Sequence, residues 1–363
     1  PKELEDGRVD FKNLDMFIQV DQGDLLLEKI PASAGRPGID VLGQRLMPKH
    51  GQDVRLPLGK NVQLVDCSKM ISSIAGQVLV EDRRVSVIPV IEVNGDVDLS
   101  TGNIDFVGNV IIRGSVQAGF SVKAGGDVEI YGTVSGSVVE GKDVIIRMGI
   151  IGAQTGYVSA VQDLQAKFIQ NATASAGRDI LVRDGIINSK VSAGRNVRVE
   201  GGNGSVVGGM VSAGEEIYAR TVGTSLSTGT ELRVGVNPLL REEYQHLRQE
   251  FKKVEANLEA VRKNLRLLQS QDRNHLSTEK KELMLKLTQG QFHMMGQAET
   301  LQRRINEIDL AFESMRFGRI KIHDRVAAGT KIIIGSLIKP LRDDFNYVKF
   351  YEADGEIRVT SIA

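Results

Sequence analysis

Carboxylates recur at one fixed place along the middle of this 363-residue chain. Asp127, Asp143, Asp163, Asp179, Glu216 and Glu231 occupy the same place in full or weaker copies of a short apolar–x–Ala–Gly–x phrase, and Asn196 completes the row. If the phrases stack, the carboxylates stand a few ångströms apart and repel one another. A ladder of this kind would bind divalent cations. The plainer chemistry is that each carboxylate accepts backbone N–H groups at its turn. Lys142, Arg178 and Arg195 lie beside three members and would neutralise them. The row also lacks the dense cluster of oxygens that calcium requires, so the backbone role is preferred.

Other candidate chemistry is weaker. Gly136-Ser-Val-Val-Glu-Gly141-Lys142-Asp143 nearly matches a phosphate-binding loop, but Asp143 replaces the Ser or Thr that would hold magnesium. The stretch also falls in step with the repeat, which makes Gly141 a corner and Val144 core. His50, His246, His275, His293 and His323 show no metal-ligand spacing. Cys67 is the single cysteine, so it forms no internal disulfide and fits a reducing compartment. It reads as a small apolar residue between Val65 and Met70 rather than a nucleophile. No catalytic, cofactor-binding or metal-ligating set is assigned.

The phrase that carries the carboxylates organises the chain from about Gly95 to Val236. It appears as Val122-Lys-Ala-Gly-Gly-Asp127-Val128-Glu-Ile130, Val191-Ser-Ala-Gly-Arg-Asn196-Val197-Arg-Val199 and Val211-Ser-Ala-Gly-Glu-Glu216-Ile217-Tyr-Ala219. Weaker copies begin at Val138, Ala174 and Leu226, and a degenerate one at Val158 has Val161 in place of the Gly. A spacing of about 15–20 residues is a solenoid signal. Each half alternates, as a strand with one buried face does, and the Gly allows a sharp corner. The reading is a parallel β-helix: strand, Gly corner, strand and return. One interior ladder is expected from Val128, Val144, Leu164, Ile180, Val197, Ile217 and Leu232. A second is expected from Ile130, Ile146, Ala166, Val182, Val199, Ala219 and Val234. No coil buries its own apolar face, so the core exists only through stacking.

Residues 1–94 read as an irregular β-rich domain that caps the first coil, dense in Gly and Pro, with Glu81-Asp-Arg-Arg84 as a hairpin turn. The β-helix is expected over 95–237, broken by Asn237-Pro238. Over 238–317 the period changes to three and a half. Leu240, Tyr244, Leu247, Phe251, Val254, Leu258, Val261, Leu265 and Leu268 make one heptad seam. Met284, Leu287, Gln291, Met294, Ala298, Leu301, Ile305, Ile308, Phe312 and Met315 make another, with Gly290 and Gly296 beside it. The polar stretch from Ser270 to Ser277 joins them, so the expectation is an antiparallel helical hairpin with arms of about 45–50 Å. Its seam is core by default, and its outer face is free for another helix. Strands resume over 318–363, return to the open end of the β-helix and close it. The hairpin is then an insertion.

Composition narrows the function classes. Lys+Arg and Asp+Glu both number 46, which opposes a general electrostatic grip on nucleic acid or anionic lipid and leaves local patches open. Gly numbers 39 and Trp is absent, which suits many corners. No apolar run has membrane-span length and no signal peptide is visible, so membrane insertion is not expected.

Gly95-Asp-Val-Asp98, Thr101-Gly-Asn-Ile-Asp-Phe106, Val122-Lys-Ala-Gly-Gly-Asp127, Ala166-Lys-Phe-Ile169, Val234-Gly-Val-Asn-Pro238 and Arg319-Ile-Lys-Ile322 together resemble the flagellar assembly protein A family. The likeness runs in order over nearly the whole chain. It implies a bacterial cytoplasmic protein, recruited to the cell pole, that takes part in assembling or placing flagella. It also implies a right-handed β-helix with a coiled-coil insertion. The family's additional amino-terminal domain is expected to be mostly missing from this sequence. At fold level alone, the β-helix is also similar to bactofilins and to the carboxy-terminal domain of the septum-site inhibitor.

Three functions are compatible with these features. The first is a non-enzymatic scaffold working through protein–protein binding, with self-association through a solenoid end or the helical seam. The second is a carbohydrate-acting β-helix enzyme, which needs a groove of clustered acids and bases on one solenoid face. The low aromatic content and the absence of Trp count against a polysaccharide lyase, and the lack of a six-residue repeat counts against an acyltransferase of the β-helix kind. The third is a docking module that links sugar-transport or metabolic state to flagellar placement.

Overall fold

The computed structural model describes residues 2–3, 9–10, 12, 14, 17–66, 68–152, 156–224, 229–269, 278–314 and 318–362. Cys67, His275, Met315 and the front of the copy beginning at Leu226 lie outside them. The chain divides into two compact units, Pro1–Lys167 and Phe168–Ala363.

The first unit begins with small antiparallel sheets. Gly76–Glu81 pairs with Arg84–Ile88 across the expected turn, where Asp82 and Arg83 take φ of 47° and 59°. Both positive angles mark the turn type whose twist matches a two-residue hairpin. Leu25–Glu28, Lys69–Ser72 and Val62–Val65 form a second sheet, and Gly38–Ile39 pairs with Arg45–Leu46 in a third. This segment meets the first coils directly. The Asn103 N–H donates to Lys12 O at 2.6 Å, and Lys12 Nζ donates to Gly119 O at 2.8 Å.

Parallel register starts at Val90, ahead of the first recognisable Gly corner. Val90–Val93 aligns with Asn109–Ile112, which aligns with Val128–Ile130 and then with Val144 to Ile146. The Val144 N–H donates to Asp163 O at 2.9 Å, which brings Leu164 onto the next rung. A second column runs Ile104, Val122, Val139 and Val158. The return path, read as a plain connection from sequence, carries a third column. Its members are Val97, Val116, Val134 and Ile150, all buried. Valine and isoleucine dominate all three because β-branched side chains fill a pleated interior face well.

The second unit repeats the pattern. Ile180, Val197, Ile217 and Ile320 stand one above another, as do Val182, Val199, Ala219 and Ile322. The other phrase half gives Ala174, Val191, Val211, Leu232 and Ile332. Leu232 and Val234 therefore leave the ladders expected of them, and Glu231 leaves the carboxylate row. Glu231 pairs with Met210 and Lys331, not with Glu216. The cause is the insertion. In the last coil the strand Thr230–Val234 takes the position before the Gly corner, and its companion after the corner is Arg319–Val326, displaced by the helical segment.

That segment is a helix pair, α1 (Pro238–Gln269) and α2 (Thr278–Ser314). The chain leaves the coil at Gly235 and re-enters at Gly318. These two glycines are so close that a Cβ on Gly318 would lie 2.3 Å from the Gly235 nitrogen. Closure then changes direction. Lys331–Ile334 pairs antiparallel with Leu337–Pro340, and Arg319–Val326 pairs antiparallel with Phe345–Ala353, which in turn holds Glu356–Ser361.

Candidate functional site

The repeated carboxylates turn out to be structural bonds between coils. Asp127 Oδ1 accepts the Asp143 N–H at 3.3 Å, and Asp143 Oδ1 accepts the Asp163 N–H at 2.9 Å. Asp179 Oδ1 accepts both the Asn196 N–H at 3.1 Å and its side-chain amide at 2.8 Å. Each side chain thus satisfies the backbone of the next rung rather than its own turn. The same device runs through Asp96, Asn103 and Asn109, whose oxygens accept the Ser115, Ser121 and Asp127 N–H groups at 2.8, 2.9 and 2.9 Å. Among the described residues no group of three or more His, Cys, Asp or Glu is arranged to hold a metal.

At the top of the row the chemistry inverts. Glu216, 4% exposed, faces Lys321 at 3.0 Å, Arg198 at 3.9 Å, and Arg319, which donates to its Oε2. Burial pushes its carboxyl up, but the hydrogen bonds and charges of Lys321 and Arg319 outweigh burial and hold it below the usual carboxylate range.

The phosphate-loop lookalike is strand. Val138–Gly141 pairs with Ser121 to Lys123, and Val144 is fully buried. Glu140 there accepts the Tyr157 hydroxyl and pairs with Lys123 at 3.2 Å.

The helix pair is built from its cap upward. Asn237 Oδ1 accepts the Leu239 and Leu240 N–H groups at 2.9 and 3.3 Å, and Pro238 stands at the first helical position, where no N–H is needed. Leu240, Tyr244, Leu247, Phe251, Val254 and Val261 are half-buried, while Leu258 and Leu265 are buried. Facing them, Leu301 and Phe312 are half-buried, and Ile305 and Ile308 are buried. Tyr244 meets Phe312 edge-on at 5.6 Å, and Arg304 Nε reaches Glu243 at 2.7 Å. Contacts between the start of α1 and the end of α2 fix the pair as antiparallel.

Two openings accompany the hairpin. One is a groove of about 820 Å³ between the arms, lined by Lys253, Val254, Phe292, His293, Gly296 and Leu301. A Cβ on Gly296 would meet nothing within 4 Å, so the missing side chain is part of what opens it. Phe292 on its rim is 69% exposed. The other is a cleft of about 240 Å³ at the root, where the first turns of α1 lie over the outer face of the coils. Ser192 and Ser212, aligned in register, are short enough to let the helix approach, and both are buried beneath it. Lys190 ties the contact to Glu242 at 3.0 Å. Among the described residues Glu242 is the only carboxylate lining that cleft, so the paired acids wanted for glycoside chemistry are not there. His246 lies on the exposed side of α1, 3.8 Å from Glu250, and His323 contacts Asp324 at 2.8 Å.

No described helix is long and apolar enough to cross a membrane. Neither a curated protein nor a solved structure matches the chain. Residues 1–83 match the model of the Flagellar Assembly Protein A N-terminal region. Residues 89–357 match the model of the Flagellar Assembly Protein A β-solenoid domain, helical insertion included, and on that coverage the chain belongs to the flagellar assembly protein A family.

Proposed function

We propose that the chain is a non-enzymatic scaffold for flagellar assembly or placement, and that it works by binding protein partners through its helical hairpin. One observation carries this reading. A long helix pair is inserted at a single Gly corner, between Gly235 and Gly318, and the strands on either side still pair in parallel with their neighbours, with one register shift between Ala219 and Thr221. An insertion that leaves the fold's own core intact has no folding role to explain it, whereas a projecting docking element does. A cytoplasmic place of action with recruitment to the cell pole belongs to the same reading. So do partners in the flagellar placement or sugar-transport signalling machinery.

The test exploits the closeness of the two glycines. Replacing Val236 to Phe317 by a two-residue Gly-Ser link should leave the β spectrum and the solenoid's melting unchanged. In cells carrying only this form, the number or position of flagella should change, and co-purification of the normal partner should be lost. A shortened chain that folds, keeps its partner and supports normal flagellation sinks the proposal.

A further inference from the structure

The segment from Lys29 to Lys60 in the first unit contributes no strand to the coils and no part of the helix pair. It carries the two-stranded ladder of Gly38–Ile39 with Arg45–Leu46, and its turn presents apolar side chains to solvent. Val41 is 101% exposed and Leu42 81%, with Ile39, Leu46 and Met47 also exposed beside them. Exposed apolar clusters on soluble chains mark contact sites. Three further features say what kind of contact this one makes.

First, the turn satisfies several of its own backbone N–H groups. Asp40 Oδ1 accepts the Leu42 and Gln44 N–H groups at 2.9 and 2.8 Å. The Gly43 N–H donates to Asp40 O, and the Asp40 N–H to Gln44 O, both at 3.0 Å. Each N–H paired within the turn lowers the cost of bringing it into an apolar phase. Secondly, the charge is lopsided. The segment holds Lys29, Arg36, Arg45, Lys49, Arg55 and Lys60 against Asp40 and Asp53 alone, in a chain that is neutral as a whole. Both acids already have partners: Asp40 bonds its own turn, and Asp53 accepts the Ala32 N–H at 2.9 Å and pairs with Lys29 at 3.1 Å. Thirdly, the apolar side chains stand on a protruding turn. A protein partner would need a matching hollow for such a turn, whereas a bilayer needs none.

We infer that the turn at Val41 and Leu42, on a segment that also exposes Arg36, Arg45 and Lys49, is a peripheral contact for an anionic lipid surface: the apolar side chains dip in and the cations hold the headgroups. Interfacial binding of this kind adds buried apolar area to attraction for anionic lipid. It is the local patch that overall neutrality left open, and it requires no membrane-spanning element.

The experiment is sedimentation of the 363-residue chain with phosphatidylcholine vesicles, with and without phosphatidylglycerol. Binding is expected only to the anionic vesicles, weakening as salt rises. The pair Val41→Ser and Leu42→Ser, and separately the set Arg36→Gln, Arg45→Gln and Lys49→Gln, should each lower it roughly tenfold or more. These side chains are exposed, so circular dichroism should show an unchanged fold. As a second readout, a polarity-sensitive dye on Val41→Cys, with Cys67→Ser, should shift to the blue with anionic vesicles. No binding to anionic vesicles at low salt, equal binding to neutral ones, or binding indifferent to both variants overturns the inference. In that event a protein would be the remaining candidate for the turn.

Discussion

Glu216 shows how a repeated position changes its work from coil to coil. Below it, Asp and Asn side chains bond the next rung's backbone; here the next rung offers Arg319, and a carboxylate meets cations instead. Glu216→Gln keeps the shape and removes the charge. It should cost about 2 kcal/mol, in line with losing hydrogen bonds between charged groups, and be read as a lower melting temperature. The pH dependence has a definite sign. The folded pKa of Glu216 lies below the ordinary 4.5, so its contribution is fully present above about pH 4.5. It disappears as pH falls through the lower folded value. Acid titration of stability should therefore be shallower in Glu216→Gln than in the parent over that window. The glycine corners are a second residue-scale case. A Cβ on Gly214 would sit 2.1 Å from Gly194 O, backbone that has nowhere to move. Gly214→Ala should cost roughly 1–3 kcal/mol as an overpacking change, while Gly95→Ala, where nothing lies within 4 Å, should be nearly silent.

At the scale of elements, legibility depended on periodicity. Two strand columns were readable because Ala-Gly-x-Asp marks the corner between them in copy after copy. The third column, Val97, Val116, Val134 and Ile150 among its members, was not, since its strands are short and no fixed residue announces them. The misplaced Leu232 and Val234 have a single cause: the repeat implies that a Gly corner leads into the next strand, and the corner at Gly235 leads into α1. The heptads of the hairpin were plain in the sequence, yet the groove beside Gly296 was not, because a gap is a property of two facing helices. The hairpin's core is separate from that of the coils, which predicts independent melting. Ile305→Ala, at a fully buried seam position, should cost about 2–4 kcal/mol. The helical signal should melt earlier while the β signal stays where it was. Gly296→Ala should do the reverse, stabilising α2 by roughly 0.5–1 kcal/mol through helix propensity while narrowing the groove. If partner binding weakens although the hairpin is more stable, the groove itself is the docking surface.

For the whole molecule the governing problem is how a stack of parallel coils stops. A parallel coil presents to its next neighbour the same unpaired backbone groups that its predecessor presented to it, so an open end invites another chain. The second unit meets this by reversing strand direction. Lys331–Ile334 is covered by antiparallel Leu337–Pro340, and Arg319–Val326 by antiparallel Phe345–Ala353. Phe350, fully buried, is inserted over Ile320 at the end of its ladder. The antiparallel strands replace the edge that a next coil would repeat with one of a different hydrogen-bond pattern. Removing Leu337 to Ala363 should therefore turn a well-behaved chain into one that associates with itself. Light scattering after size-exclusion chromatography should show mass rising with concentration, and the growth should be suppressed by Ile320→Lys or Ile332→Lys, which place a charge on the newly opened end. Should the shortened chain keep the mass of the parent across the concentration range, the reversal is not what ends the stack, and self-association would have to be sought along the helical seam instead.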